Sequence, residues 1–135
     1  MALHLLKLAV GIDDVGQLRR IRKARAVERG GSWVVTRNYP RRAAEILAGG
    51  SLYWVIRGHI RVRQRVIGFR SEREESGRRY CQIEVASELI ATEPRSWRPF
   101  QGWRYLPATD APADLPGGEA PADRMLAELH ALGLI

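Results

Sequence analysis

The stretch SLYWVIRGHIRVRQRVIGF limits the fold more than any other part of the chain. Residues 51–56 and 59–69 are runs rich in β-branched and aromatic side chains, and only Arg57 and Gly58 separate them. A join that short turns the chain back antiparallel to itself, so the runs form a hairpin and not a crossover. Successive side chains of a strand point to opposite faces. The second run therefore puts Arg57, His59, Arg61, Arg63 and Arg65 on one face and Ile60, Val62, Gln64 and Val66 on the other. Ile67 and Phe69 then fall on the arginine face, a switch that a bulge near Gly68 explains.

The flanking segments extend this sheet. Residues 3–10 alternate as a mostly buried first strand. A helix follows, capped by Asp13 or Asp14, with Val15, Leu18 and Ile21 at helical spacing and Gly30-Gly31 as its stop. Its outer face carries Arg19, Arg20, Arg22, Lys23, Arg25 and Arg29. Residues 32–37 form a short strand, and Pro40 opens a second helix that runs through Leu47 to Gly49-Gly50. SEREESGRR is the charged tip of another hairpin, and residues 80–85 turn Cys81, Ile83 and Val85 inward. Residues 92–106 are irregular, with Pro94 and Pro99 stiffening them. Residues 121–132 form an amphipathic helix with Met125, Leu126, Leu129 and Leu132 on one side, which covers this domain or a second copy of it.

Helices early and late, strands paired non-locally and no repeated strand-helix-strand unit predict an α+β fold on a curved, mainly antiparallel sheet. The expected division is one domain over residues 1–106, a linker over residues 107–120 and the C-terminal helix segment over residues 121–135. At 135 residues the domain is large enough for its own core, and the single cysteine, Cys81, reads as a buried apolar residue. No apolar run reaches the ~20 residues of a membrane span, so a cytoplasmic protein without membrane contact is expected.

Charge is distributed unevenly. The first 70 residues hold 15 basic and 4 acidic side chains, a balance of +11, and the remainder 7 and 11, a balance of −4, which together make the net +7. Twenty of the 22 basic residues are arginine, whose planar fork suits phosphate and stacks on bases; a GC-rich genome has the same effect on composition. Catalytic chemistry has no comparable signal. His4, His59 and His130 are far apart, one cysteine does not make a zinc site, and no GxSxG, GxGxxG or Walker loop is present. No metal and no cofactor are expected.

Three segments, RNYPRRAAEILAGGSLYWVIRG, RQRVIGF and RPFQGWRYL, resemble a bacterial family known only as a conserved domain of unknown function. The likeness runs from residue 3 to Leu106. A weaker resemblance is to the PUA-like superfamily, in particular its EVE and ASCH branches, which are small pseudo-barrels that bind RNA or modified bases. Arg37, Asn38, Tyr39, Arg42, Gly50 and Tyr53 match the EVE pattern, and Val66-Ile67-Gly68 matches its following strand. The resemblance implies a pseudo-barrel in which Asn38 and Tyr39 border a base-sized pocket.

Together these features point to a non-enzymatic, nucleic-acid-binding domain, with RNA or a modified base as ligand. Arg57, His59, Arg61, Arg63 and Arg65 and the arginines of the first helix are the expected phosphate contacts, Tyr39, Trp54 and Trp103 are the expected base contacts, and Arg37, Asn38, Arg42 and Arg104 complete the expected nucleic-acid-binding set. An alternative is a protein-interaction module or homodimer whose basic face meets an acidic partner. A third is an enzyme on a small anionic substrate with Glu84 or His59 as base.

Overall fold

The computed structural model describes residues 2–119. The expected C-terminal helix therefore lies outside the described residues. The elements in chain order are β1 (His4–Leu8), α1 (Val15–Arg29), β2 (Trp33–Thr36), α2 (Ala43–Leu47), β3 (Ser51–Ile56), β4 (His59–Arg73), β5 (Arg79–Val85), β6 (Ile90–Ser96), β7 (Trp103–Leu106) and β8 (Asp114–Glu119). A short 3-10 turn, Ala108–Asp110, precedes β8.

The fold is α+β, as expected from the sequence, on an open eight-stranded sheet in the order β2-β5-β4-β3-β1-β7, with β6 on β4 and β8 on β6. Only the β1–β3 pair is parallel; the other pairs among the described residues are antiparallel. The sheet is built around β4. Val66 donates to the Gly50 carbonyl at 3.1 Å, whereas the neighbouring Arg65 carbonyl accepts from Ala86 at 2.8 Å. Adjacent residues of a strand present their backbone groups to opposite edges. One edge of β4 thus holds β3, and the other holds β6 along its first half and β5 along its second.

Burial follows from this arrangement. β3 is buried at all six positions because both of its faces are covered. Leu52, Trp54 and Ile56 face the larger core beneath α1, together with Leu5, Leu18, Val62 and Ile83. Tyr53 and Val55 face a smaller core with Leu6, Ile60 and Leu106. Cys81 is fully buried in the larger core, and burial pushes its thiol up.

Local chemistry accounts for the joins. Arg57 and Gly58 both have positive φ, 48° and 81°, as a two-residue hairpin turn requires. Asp14 caps α1 by accepting from the Gln17 N–H at 2.7 Å, and Gln17 returns the contact through Oε1 to the Asp13 N–H. The bulge expected near Gly68 is present between Val66 and Gly68, and it turns Phe69 toward the larger core.

Two expectations on the C-terminal side change. Residues 92–106 are not irregular throughout, because β6 and β7 take up much of them. Pro94 lies in β6 itself, at a position skipped between the Ile60–Arg95 and Val62–Ala91 pairs, where no ladder donor is needed. The segment read as a linker contributes the 3-10 turn and β8, which pairs with β6.

His4 ties β1 to β3. Its Nδ1 accepts from the Ser51 N–H at 3.0 Å, so the neutral ring carries its proton on Nε2, and the ring packs edge-on against Tyr53. Burial, and then the charge of Arg63, hold its pKa below the ordinary 6.5. The unfolded chain binds this proton more readily, so stability is complete above about pH 6.5 and falls as pH drops below it. His4→Asn keeps an acceptor for Ser51 and removes the titration. Urea denaturation at pH 7 and pH 5 is expected to show a smaller loss for the variant than for the wild type.

Candidate anion-binding cleft

The basic file on β4 does not survive intact. A bulge sets Val55 opposite Ile60 and Trp54 opposite Val62, so that Arg61 is an extra residue without a partner in β3. Paired residues share a face, and the bulge therefore splits the file. His59, opposite Ile56, lies on the face of the larger core, while Arg63 and Arg65, opposite Tyr53 and Ser51, lie on the face of the smaller one. Ile60 likewise leaves the face of Val62. Strict alternation missed this because a bulge in a polar run leaves no gap in the pattern.

The five cations also differ in partners. Arg63 grips Asp114 with two bonds, 2.8 Å to Oδ1 and 2.7 Å to Oδ2, and donates to Ser51 Oγ at 2.9 Å. That pair lowers the Asp114 pKa and raises that of Arg63. Arg63 is thus a structural clamp holding β8, not a free phosphate contact. Arg57, Arg61 and Arg65 are exposed, and no carboxylate among the described residues pairs with them.

The other expected site residues fall in several places. Trp54 is only 5% exposed and donates through Nε1 to Gln64 Oε1 at 2.9 Å, so its ring is core and does not receive a base. Arg37 pairs with Glu74, and Arg42 with Glu45 at 2.6 Å. Trp103 donates to the Asn38 carbonyl at 2.9 Å, which ties β7 to the loop after β2; Tyr39, 48% exposed, packs on Phe69. Arg104 lies over Phe100 and bonds the Gln101 and Trp103 carbonyls. Arg37, Asn38, Tyr39, Arg42 and Trp103 are thus brought near one another, but not to the β4 arginines that remain free.

A different group of cations does converge. Between α1, the end of β1 and β2 lies a cleft of about 330 Å³, and Lys7, Arg22, Arg25 and Arg29 line it with no aspartate or glutamate among the described residues. Arg22 is the unusual member. It is only 6% exposed, and its Nη2 donates to Ser32 Oγ and the Trp33 carbonyl, both at 3.0 Å. Its Nε has no partner, and its guanidinium stands 5.9 Å from the centre of the Trp54 ring. Among the described residues its hydrogen-bond and ring partners are all neutral. Burial above all, then Arg25 and Arg29, push its pKa down to about 10, and burial lowers that of Lys7. Arg22 remains cationic at neutral pH, in a site that disfavours positive charge.

An anion in the cleft relieves that penalty, because it supplies the opposite charge that no described residue does. Neither Glu84 nor His59 lines the cleft. Among the described residues no three His, Cys, Asp or Glu side chains are placed to hold a metal ion. By residue type Arg22 falls with the cations on the outer face of α1, whose arginines the sequence offers as phosphate contacts. Its position continues the Val15 and Leu18 stripe at i+3 and i+4 steps, as do Arg25 and Arg29, and that spacing marked them as facing the sheet.

The profile of a family described as "Protein of unknown function (DUF1489)" matches residues 5–135, nearly the whole chain. The chain belongs to the DUF1489 family. No curated protein and no solved structure matches it. The resemblance to a conserved domain of unknown function is thereby shown, and for this DUF1489 chain the cleft geometry is the main guide to function.

Proposed function

We propose that this DUF1489 protein binds nucleic acid without chemical conversion, RNA being the expected ligand, and that backbone phosphate enters the cleft between α1 and β2. The observation that carries the reading is Arg22: a buried guanidinium, with neutral partners only among the described residues, set beside Lys7, Arg25 and Arg29. A small anion alone would satisfy one such site. The exposed Arg57, Arg61 and Arg65, and the basic balance of the first 70 residues, favour a polyanion. The PUA-like likeness of Arg37, Asn38 and Tyr39 agrees with this reading, and a PUA-like relationship is part of the proposal.

Fluorescence anisotropy with a labelled single-stranded RNA tests it. Affinity is expected to fall steeply with salt, since each neutralised phosphate releases counterion. Arg25→Ala with Arg29→Ala removes two exposed cleft cations, and the slope of log K against log salt is expected to flatten by roughly 1.4. Absence of binding at low salt, or an unchanged slope in the double variant, contradicts the proposal.

A further inference from the structure

We infer that the cleft is one end of a longer track for single-stranded nucleic acid, in which Trp33 is a base-stacking platform on the outer face of β2, β5 and the second half of β4. This rests on the reading of the cleft as a phosphate site and extends it from phosphates to bases.

The register builds that face. Val35 and Arg70 both lie opposite Gln82, Trp33 lies opposite Glu84, and Tyr80 lies opposite Glu72. The intervening Val34, Cys81, Ile83 and Val85 are buried in the core. Trp33, Val35, Tyr80, Gln82 and Arg70 therefore share the opposite face with Glu72 and Glu84, and the first five line a shallow groove of about 730 Å³. Arg29 and Val35 line both this groove and the cleft, so the two are continuous. Val35, 45% exposed, floors the passage between them.

Trp33 has the features of a platform. The Arg70 guanidinium stands 5.2 Å from the centre of its ring, so the ring face is open to a flat, delocalised group. Trp54 and Trp103 use their Nε1–H groups on Gln64 and Asn38, whereas that of Trp33 has no partner among the described residues. A base stacks on the indole in place of Arg70, and the exposed Arg70, 3.6 Å from Glu72, exchanges that carboxylate for the adjoining phosphate. Arg73 lines the groove further along, and Tyr80 offers a second ring. Glu74 and Glu75 stand at the groove as well, Glu74 held 3.3 Å from Arg37, and their charge ends the phosphate track at the β4–β5 hairpin tip. A duplex keeps its bases stacked internally and leaves Trp33 unused.

The test compares a roughly 12-nucleotide single-stranded RNA with the same sequence as duplex, on wild type, Trp33→Ala, Trp33→Phe and the Arg25/Arg29 double alanine variant. Wild type is expected to favour the single strand by about ten-fold or more, Trp33→Ala to lose about ten-fold on the single strand only, and Trp33→Phe to retain most of the affinity. Equal affinity of wild type for both forms overturns the inference without any variant. So does single-strand binding by folded Trp33→Ala at wild-type strength. If the arginine variant still loses affinity in those cases, the cleft reading stands and the stacking platform falls. If wild type binds neither RNA, both fall.

Discussion

Gly50→Ala is expected to abolish or nearly abolish the folded state, with a loss of about 4 kcal/mol or more in chemical denaturation. Gly50 sits where α2 ends and β3 begins, with β1 pressed against the junction. A Cβ there meets the Leu3 carbonyl oxygen at overlap distance and the Ile46 carbonyl oxygen at 2.6 Å, both of them backbone atoms that no rotamer change moves. Relief requires displacement of β1, which is buried at Leu3, Leu5 and Leu6, or of the turn that bonds Gly50 N–H to Ile46 O and Gly50 O to Val66 N–H. Overpacking against side chains costs about 1–3 kcal/mol because the side chains yield; here the obstacle is main chain. Gly49→Ala is the control. Gly49 has open space around its Cβ position but a φ of 119°, so its cost is conformational, about 1–2 kcal/mol. Equal denaturation midpoints for the two variants would show that β1 does not approach Gly50 this closely.

Arg22→Met is expected to separate stability from binding. Methionine follows the path of the arginine stem between α1 and the Trp54 ring, and it removes a charge that no carboxylate among the described residues balances. Two acceptors lose a donor, but the Trp33 carbonyl keeps Arg29 at 3.3 Å and the Ser32 hydroxyl can turn elsewhere. Denaturation is expected to place the variant within about 1 kcal/mol of the wild type, or above it. RNA affinity at low salt is expected to fall about ten-fold or more, because a desolvated guanidinium makes stronger phosphate contacts than an exposed one. A variant that is strongly destabilised yet binds normally once folded would mark Arg22 as a structural residue alone.

Much of the fold was legible in the sequence because its strands alternate cleanly. The Arg57-Gly58 turn, a cap at Asp13 or Asp14, a hairpin tip within SEREESGRR and the buried Cys81 each follow from a local rule, and each is present, the cap at Asp14 and the tip at residues 74–78. The site was less legible. The β4 bulge at Arg61 depends on how β3 and β6 pair with it, which no local pattern records, and it broke the alternating file that the sequence implied. Trp54 looked like a candidate for base contact, but β3 is covered on both faces and the ring is core. Trp33 was overlooked since a single tryptophan in a four-residue strand does not say which face is left open. Arg22 is the instructive case: read by residue type it belongs with the solvated arginines, and read by helical position it belongs with Leu18.

The central claim is that Arg22 is a buried cation awaiting an anion. Its Nε–H resonance in a ¹⁵N-detected NMR titration reports on it directly, because that nitrogen has no partner among the described residues. Addition of single-stranded RNA at low salt is expected to shift the Arg22 Nε–H signal in a saturable manner, together with those of Arg25 and Arg29. Saturable RNA binding with the Arg22 signal unmoved, or no binding at all, would contradict the account.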